Sequence, residues 1–148
     1  MSDTPGPAEK AAITYNAAAD HFDNEPLSFW ARHGSRTVER LSLPFGGVIL
    51  DVGCGTGASA IPAAELVGPT GKVIGVDVAE RLLEIARRKA EARALYNVEF
   101  RFGDMRQLGF PEACFDAVVC VFAIFFAPDM AAQVRELWRM VRPGGKLA

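Results

Sequence analysis

Cysteine is scarce in this sequence. The three cysteines, Cys54, Cys114 and Cys120, are odd in number and no two of them form a C-x-x-C pair. That usage argues against a disulfide framework and against a zinc site. We therefore expect no metal site, and we expect a reduced setting, which places the protein in the cytoplasm.

Long apolar runs and an excess of charge of one sign are also missing. No stretch is long and apolar enough to span a bilayer, and the first seven residues have neither the basic start nor the apolar run of a signal peptide. The formal net charge of −2 disfavours a nucleic-acid partner. The basic residues of 87–93 alternate with acidic ones, as on a solvated helix face. We expect a globular domain without a membrane span.

The most informative stretch is VILDVGCGTG, residues 48–57. Its apolar, β-branched start predicts a buried strand that stops at Asp51, and a helix is predicted from Ala58. Between them stand three glycines at alternate positions, Gly53, Gly55 and Gly57. Glycine permits positive φ and the close approach of a ligand, and the helix presents free backbone N–H groups. This strand, turn and helix are built to bind a ligand.

Two kinds of ligand compete for this glycine loop. Counting Ala58, the loop also fits the G-x-G-x-x-G/A fingerprint of dinucleotide-binding proteins. Asp51 argues against a dinucleotide, because its carboxylate would repel a doubly anionic pyrophosphate in a partly desolvated site. A ligand with an ammonium or sulfonium group would be attracted instead. The charge of Asp51 therefore favours a cationic nucleoside.

The chain beyond the glycine loop alternates strands and helices. Further strands are predicted at 72–77, 97–102 and 115–122, and helices at 80–93 and 129–141. Such alternation implies a three-layer α/β fold with a doubly wound, mainly parallel sheet and right-handed crossovers. The clean apolar and polar alternation of 97–102 predicts a strand near a sheet edge, and the apolar run 115–122 a central strand.

The two ends of the chain carry separate expectations. Residues 1–45 are expected to form a flexible tail, up to Pro7, and a helical cap with helices at 8–22 and 27–41. Its inward candidates in the second helix are Leu27, Trp30, Val38 and Leu41. Residues 46–148 are expected to form the ligand-binding domain. Its last residues, 146–148, resemble the start of a fifth strand, so we expect a truncated form of a longer protein.

Several segments together resemble one family. The Asp-x-Gly-x-Gly-x-Gly pattern of 51–57 resembles motif I of the S-adenosylmethionine-dependent methyltransferases with a Rossmann-like fold. Residues 108–118 and 137–147 are similar to the family's approach to the fourth strand and to its Pro-Gly-Gly turn before the fifth. Residues 15–23 resemble the N-terminal signature of the ubiquinone and menaquinone biosynthesis branch. The resemblance covers nearly all the chain from Tyr15 and implies S-adenosylmethionine as cofactor and methyl transfer as activity.

Acids at strand ends extend the predicted cofactor site. Asp77 suits the two hydroxyls of a ribose, although it could instead cap the following helix. By resemblance, Asp104 would accept a hydrogen bond from the adenine amine, with Val78 and Met105 against the ring; the alternatives are a turn aspartate and plain packing. The full set of candidate cofactor-binding residues is Asp51, Gly53, Cys54, Gly55, Gly57, Asp77, Val78, Asp104, Met105 and Phe122.

The kind of methyl acceptor is inferred from a motif that this sequence lacks. Amino-group methyltransferases often carry an Asn/Asp-Pro-Pro-aromatic motif after the fourth strand, but residues 120–126 here are CVFAIFF. This apolar segment favours a small, partly hydrophobic acceptor over nucleic acid; alternatively, Phe125 and Phe126 fill space under the cap. His21 and His33 lack an acidic partner in sequence, so neither is identified as a general base, and none is needed for a thiolate or an activated carbon acceptor.

Two other functions stay open at this point. The first is an NAD(P)-dependent oxidoreductase, against which Asp51 is the main argument. The second is a non-catalytic cofactor-binding domain, which the expected truncation makes credible.

Overall fold

A five-stranded sheet forms the centre of the protein. The computed structural model describes residues 4–25 and 28–148. The strands are Val48–Val52 (β1), Lys72–Asp77 (β2), Val98–Phe102 (β3), Phe115–Val119 (β4) and Val141–Leu147 (β5). They lie in the order β3-β2-β1-β4-β5, with every neighbouring pair parallel. The predicted doubly wound sheet is confirmed, and strand order reverses between β1 and β4, where ligands bind in such sheets.

Helices cover both faces of the sheet and make three layers. They are Pro7–Ala18 (α1), Phe29–Arg40 (α2), Ala60–Val67 (α3), Glu80–Ala92 (α4) and Met130–Arg139 (α5). Side chains of β1 alternate between the two cores: Ile49 packs with α3 and α4, and Leu50 packs with α5. Within the described ranges, no helix has both the length and the apolar character needed to cross a bilayer.

The positions of two strands agree with their sequence patterns. β3 is an edge strand, and only Phe100 of its five residues is buried. β4 lies inside the sheet between β1 and β5. It ends at Val119 rather than at Phe122, because the backbone turns there and Phe122 adopts a left-handed φ of +57°.

The C-terminal boundaries differ from the prediction. α5 ends at Arg139 instead of residue 141, and β5 already begins at Val141, which pairs with Phe115. The next pair is Ala117 with Lys146, so two steps along β4 match five along β5. The Pro-Gly-Gly sequence therefore forms a bulge within β5 and not a turn before it, an arrangement that tolerates a proline without an N–H.

The N-terminal helices pack on the helical layer beside β1. α1 contacts α4, and α2 contacts α3. The predicted helix 8–22 is divided, since α1 ends at Ala18 and a 3₁₀ turn follows over Ala19–His21. α2 begins at Phe29, and Val38 is its fully buried side chain. Leu27 and residues 1–3 of the expected tail lie outside the described residues, and the boundary between residues 45 and 46 stays a prediction.

Candidate functional site

The glycine loop connects β1 to α3 across residues 53–59. The prediction that the helix begins at Ala58 was wrong by two residues, because successive turns delay α3 to Ala60. Gly53 has a φ of +70°, and a Cβ there would collide with the Ala123 side chain. Only glycine therefore allows the loop to pack against the segment that follows β4.

Asp51 is the most unusual polar residue of the site. It lies in β1 with 1% of its surface exposed, and its Oδ2 atom has no hydrogen-bond partner within the part of the chain that the structure describes. Burial and the neighbouring Asp77 carboxylate raise the pKa of Asp51 to about 7, although the Ala60 N–H opposes this rise. A buried carboxylate oxygen without a partner is costly, so the site suits a cation that supplies one.

Asp77 ends β2 and holds the glycine loop. Its Oδ2 accepts a hydrogen bond from the Gly55 N–H at 2.8 Å, and its Oδ1 accepts one from the Ala79 N–H at 2.9 Å. Ala79 is the N-cap residue of α4, so Asp77 does not cap the first turn of that helix. Burial nevertheless raises the pKa of Asp77. Each carboxylate oxygen keeps a further lone pair that can accept a hydrogen bond from a ligand hydroxyl.

Asp104 follows β3 at the other end of the site. Its Oδ1 accepts a hydrogen bond from the Arg106 N–H at 2.9 Å, which makes it the turn aspartate of the alternative interpretation. Hydrogen bonds from the Arg106 side chain lower the pKa of Asp104 and keep it ionised. The Gln133 amide donates to the Met105 carbonyl oxygen at 2.8 Å from a nearly buried position on α5. This turn is therefore fixed from two sides.

These residues line two adjoining cavities that form one crevice. The first contains Asp51, and the second contains Asp104 and Met105. Asp77 and Val78 line both. The crevice therefore runs from the buried Asp51 carboxylate, past the strand-end carboxylate of Asp77, to Asp104 beside the apolar side chain of Met105.

The structure brings nearly all of the predicted site residues to this crevice. Those that line it are Asp51, Gly53, Cys54, Gly55, Asp77, Val78, Asp104, Met105 and Phe122. Gly57 is the exception; it is buried with a φ of +88°, and a Cβ there would lie 2.8 Å from the Ile61 Cδ1 atom. Its role is to shape the loop. Cys54 is a small buried residue, and burial raises the pKa of its thiol.

Aromatic side chains form another part of the lining of the crevice. The Tyr15 ring stands edge-on to Phe22 and Phe126, with centroids 5.8 and 5.7 Å away. Phe22 stacks on Trp30 at 5.8 Å, and Trp30 stands edge-on to Phe122 at 5.2 Å. Of these five, Tyr15, Phe22, Trp30 and Phe122 line the Asp51 end, and Phe126 lines the Asp104 end. We call these five residues the aromatic wall.

Sequence reasoning missed part of this wall. Phe22 was expected only as a motif residue and Trp30 only as a packing residue. Outside the wall, Thr56, which lines the crevice, and Gln133, which bonds to Met105, were not singled out at all. The one signal for Gln133 is a polar residue at a buried position of an amphipathic helix. For Phe22 and Trp30 no spacing relates them to the glycine loop, since they precede it by more than twenty residues.

Comparisons with known proteins show relatives in sequence and in fold. Demethylmenaquinone methyltransferase of Geobacillus stearothermophilus is 36% identical over 142 residues, which cover 93% of this chain and 60% of that protein. Magnesium protoporphyrin IX methyltransferase of Synechocystis, solved with bound S-adenosylmethionine, superposes with a TM-score of 0.75 at 22% identity and covers 95% of this chain and 74% of that one. The cyclase SpnF gives 0.81 at 24% identity, covering 97% and 59%. At these identities the two solved structures show the fold alone.

Fold and crevice thus define a doubly wound α/β protein with an acid-lined crevice at its switch point. A family described as "Methyltransferase domain" matches residues 49–145, and the chain belongs to this family. The resemblance to S-adenosylmethionine-dependent methyltransferases is confirmed, and S-adenosylmethionine is the cofactor of this class. The chain spans about three fifths of the length of the curated relatives that it matches.

Proposed function

We propose that this protein binds S-adenosylmethionine in the crevice and transfers its methyl group to a small, partly hydrophobic, quinone-like molecule. The observation that carries the proposal is the order of the three acids. At one end, Asp51 Oδ2 lacks a hydrogen-bond partner among the described residues; Asp77 and Val78 line both cavities, and Asp104 lies at the other end. A cationic amino acid, a ribose and a purine follow one another in the same order in S-adenosylmethionine.

Each acid has a role that its surroundings support. Asp51 would bind the ammonium group, since a cation supplies the partner its Oδ2 lacks and favours its ionised form. Asp77 would accept hydrogen bonds from the ribose hydroxyls with lone pairs not used by Gly55 and Ala79. Asp104 would accept a hydrogen bond from the adenine amine, with Met105 and Val78 against the ring.

The aromatic wall supports an apolar, planar acceptor. Its rings stand edge-on or stacked, and such surfaces bind flat conjugated molecules through the same contacts. The relative from Geobacillus stearothermophilus is named for a demethylated menaquinone, which is a molecule of this kind. The bound cofactor supplies a sulfonium-activated methyl group. The protein's contribution is to align the acceptor and to exclude water.

Calorimetry and a transfer assay test this proposal. S-adenosylmethionine and its demethylated product should bind, whereas NAD should not. Methyl-labelled S-adenosylmethionine should then pass its label to a demethylated naphthoquinol. Binding of NAD in preference to S-adenosylmethionine would contradict the cofactor assignment.

A non-catalytic cofactor-binding domain is the second candidate. Cofactor binding without label transfer at any acceptor concentration would favour it. The proposal also includes a cytoplasmic location and excludes a nucleic-acid acceptor. Tight, salt-sensitive association with nucleic acid would contradict that exclusion.

A further inference from the structure

The segment between α1 and α2 is tied to the glycine loop by one carboxylate. Asp23 Oδ1 accepts a hydrogen bond from the Thr56 hydroxyl at 2.7 Å, and Asp23 Oδ2 accepts one from Lys89 Nζ at 3.2 Å. Lys89 Nζ also lies 3.5 Å from Thr56 Oγ1. Thr56 belongs to the glycine loop and is only 1% exposed, and Lys89 belongs to α4. Asp23 therefore joins three parts of the chain that are distant in sequence.

This tie bears directly on the crevice. Phe22, next to Asp23, lines the crevice with its ring over the glycine loop, 3.7 Å from where a Cβ on Gly55 would lie. Tyr15 leans on Phe22, so the placement of both rings depends on the turn that holds Asp23. The crevice is thus bounded by the N-terminal segment on one side and by the glycine loop on the other.

A second polar cluster fixes the same segment further along. The Arg81 N–H donates to Asn16 Oδ1 at 3.0 Å, and the Arg81 guanidinium donates to the Asn16 carbonyl oxygen at 2.9 Å and to Asp20 Oδ1 at 2.7 Å. The two clusters differ in how deeply their partners are buried. The Arg81 cluster is exposed, whereas the Asp23 carboxylate reaches a buried hydroxyl of the glycine loop itself.

We propose that Asp23 is a positioning residue that latches the N-terminal segment over the cofactor crevice. It does not line the crevice itself, and it acts through Thr56 and Phe22. We expect the latch to affect cofactor affinity, because it fixes the Phe22 ring and the glycine loop, both of which line the proposed cofactor crevice. The inference rests on the proposed cofactor site.

Three variants test the latch by calorimetry with S-adenosylhomocysteine and by amide hydrogen exchange of the ligand-free protein. Asp23→Ala should weaken binding about tenfold and speed exchange in residues 15–25, since it leaves the Thr56 hydroxyl buried without its acceptor. Asp23→Asn keeps an acceptor oxygen and should restore most of the affinity. Lys89→Met should weaken binding by less than about threefold, because its pair with Asp23 is partly exposed.

The matched control is Glu65→Gln, which removes the Glu65–Arg93 ion pair away from the crevice and should change neither readout. An unchanged affinity in Asp23→Ala would overturn the latch, and so would equal losses in the Asn and Ala variants. If wild-type protein bound no cofactor at all, the proposed function would fail instead. If Asp23→Ala does not fold, Asp23→Asn and Lys89→Met carry the test, and faster exchange in 15–25 with unchanged affinity in either variant would contradict the proposal.

Discussion

The two walls of the crevice are built on different principles. The acidic wall takes Asp51 and Asp77 from neighbouring parallel strands, and backbone N–H groups hold the Asp77 carboxylate. The aromatic wall takes Tyr15, Trp30 and Phe122 from three separate segments and is held mainly by contacts between rings. The first wall fixes charges in place, which suits the proposed cofactor. The second offers an adaptable apolar surface, which suits an acceptor.

The largest effect is expected from breaking the acidic wall at Asp77. Asp77→Ala should weaken S-adenosylmethionine binding about 100-fold, because it removes the proposed ribose acceptor and leaves two backbone N–H groups unpaired. Asp77→Asn should lose less, since the amide oxygen can still accept one of these bonds. Isothermal calorimetry measures both. An Ala variant with wild-type affinity would show that Asp77 serves only the loop.

The aromatic wall can be broken without touching an aromatic residue. Gly34 of α2 packs against the glycine loop so closely that a Cβ would lie 2.5 Å from the Ala58 carbonyl oxygen. Gly34→Ala should therefore push α2 and Trp30 away and lower the free energy of unfolding by about 2 kcal/mol. Urea unfolding measures this change. Gly6→Ala is the control, since a Cβ there meets nothing within 4 Å, and an equal loss in both variants would contradict the packing argument.

The same contrast explains what the sequence could predict. The acidic wall lies at strand ends, where an acid after an apolar run and glycines at alternate positions are visible in a short window. Asp51, Asp77 and Asp104 were accordingly identified from sequence, and the doubly wound sheet followed from the alternation of elements. These are local patterns with fixed consequences.

The aromatic wall and the latch depend on contacts between distant segments. Trp30 meets Phe122 across more than ninety residues of sequence, and Asp23 meets Thr56 across 33. No local pattern encodes such pairs. The bulge in β5 was missed for a related reason, because Pro-Gly-Gly predicts a turn and only the pairing of Val141 with Phe115 reveals an earlier strand start.

A smaller effect should show whether Asp51 contributes to cofactor affinity through its charge or through its shape. The pKa of Asp51 is raised to about 7, so the carboxylate that attracts a cation is ionised above that pH and protonated below it. Cofactor affinity should fall as pH drops from 8 to 6, by at most about tenfold per pH unit. Asp51→Asn should bind about tenfold more weakly at pH 8 and should lose this pH dependence. Calorimetry across this range measures both.

The stability of the ligand-free protein should fall as pH rises, whereas cofactor affinity rises with pH. A raised pKa in the folded state means that the contribution of Asp51 is fully present below pH 4 and is lost as pH rises through about 7. Asp51→Asn should therefore be more stable than wild type at pH 8, by about 1–2 kcal/mol, while binding worse. A variant that loses both stability and affinity at pH 8 would contradict the interpretation of Asp51 as a site kept ready for a cation.

The smallest effect decides to which wall Phe122 belongs. The sequence predicts Phe122 as a cofactor-binding residue, but its ring contacts Phe29, Trp30 and His33, all on α2. We therefore expect Phe122→Leu to raise KM for a naphthoquinol acceptor about fivefold while changing the Kd for S-adenosylmethionine less than twofold, because a leucine keeps apolar area but loses the edge-on ring contacts. Phe125→Leu is the control, since Phe125 is exposed and does not line the crevice. A Kd that rises as much as KM would show that Phe122 contacts the cofactor. The boundary between the cofactor part and the acceptor part of the crevice would then lie at Trp30.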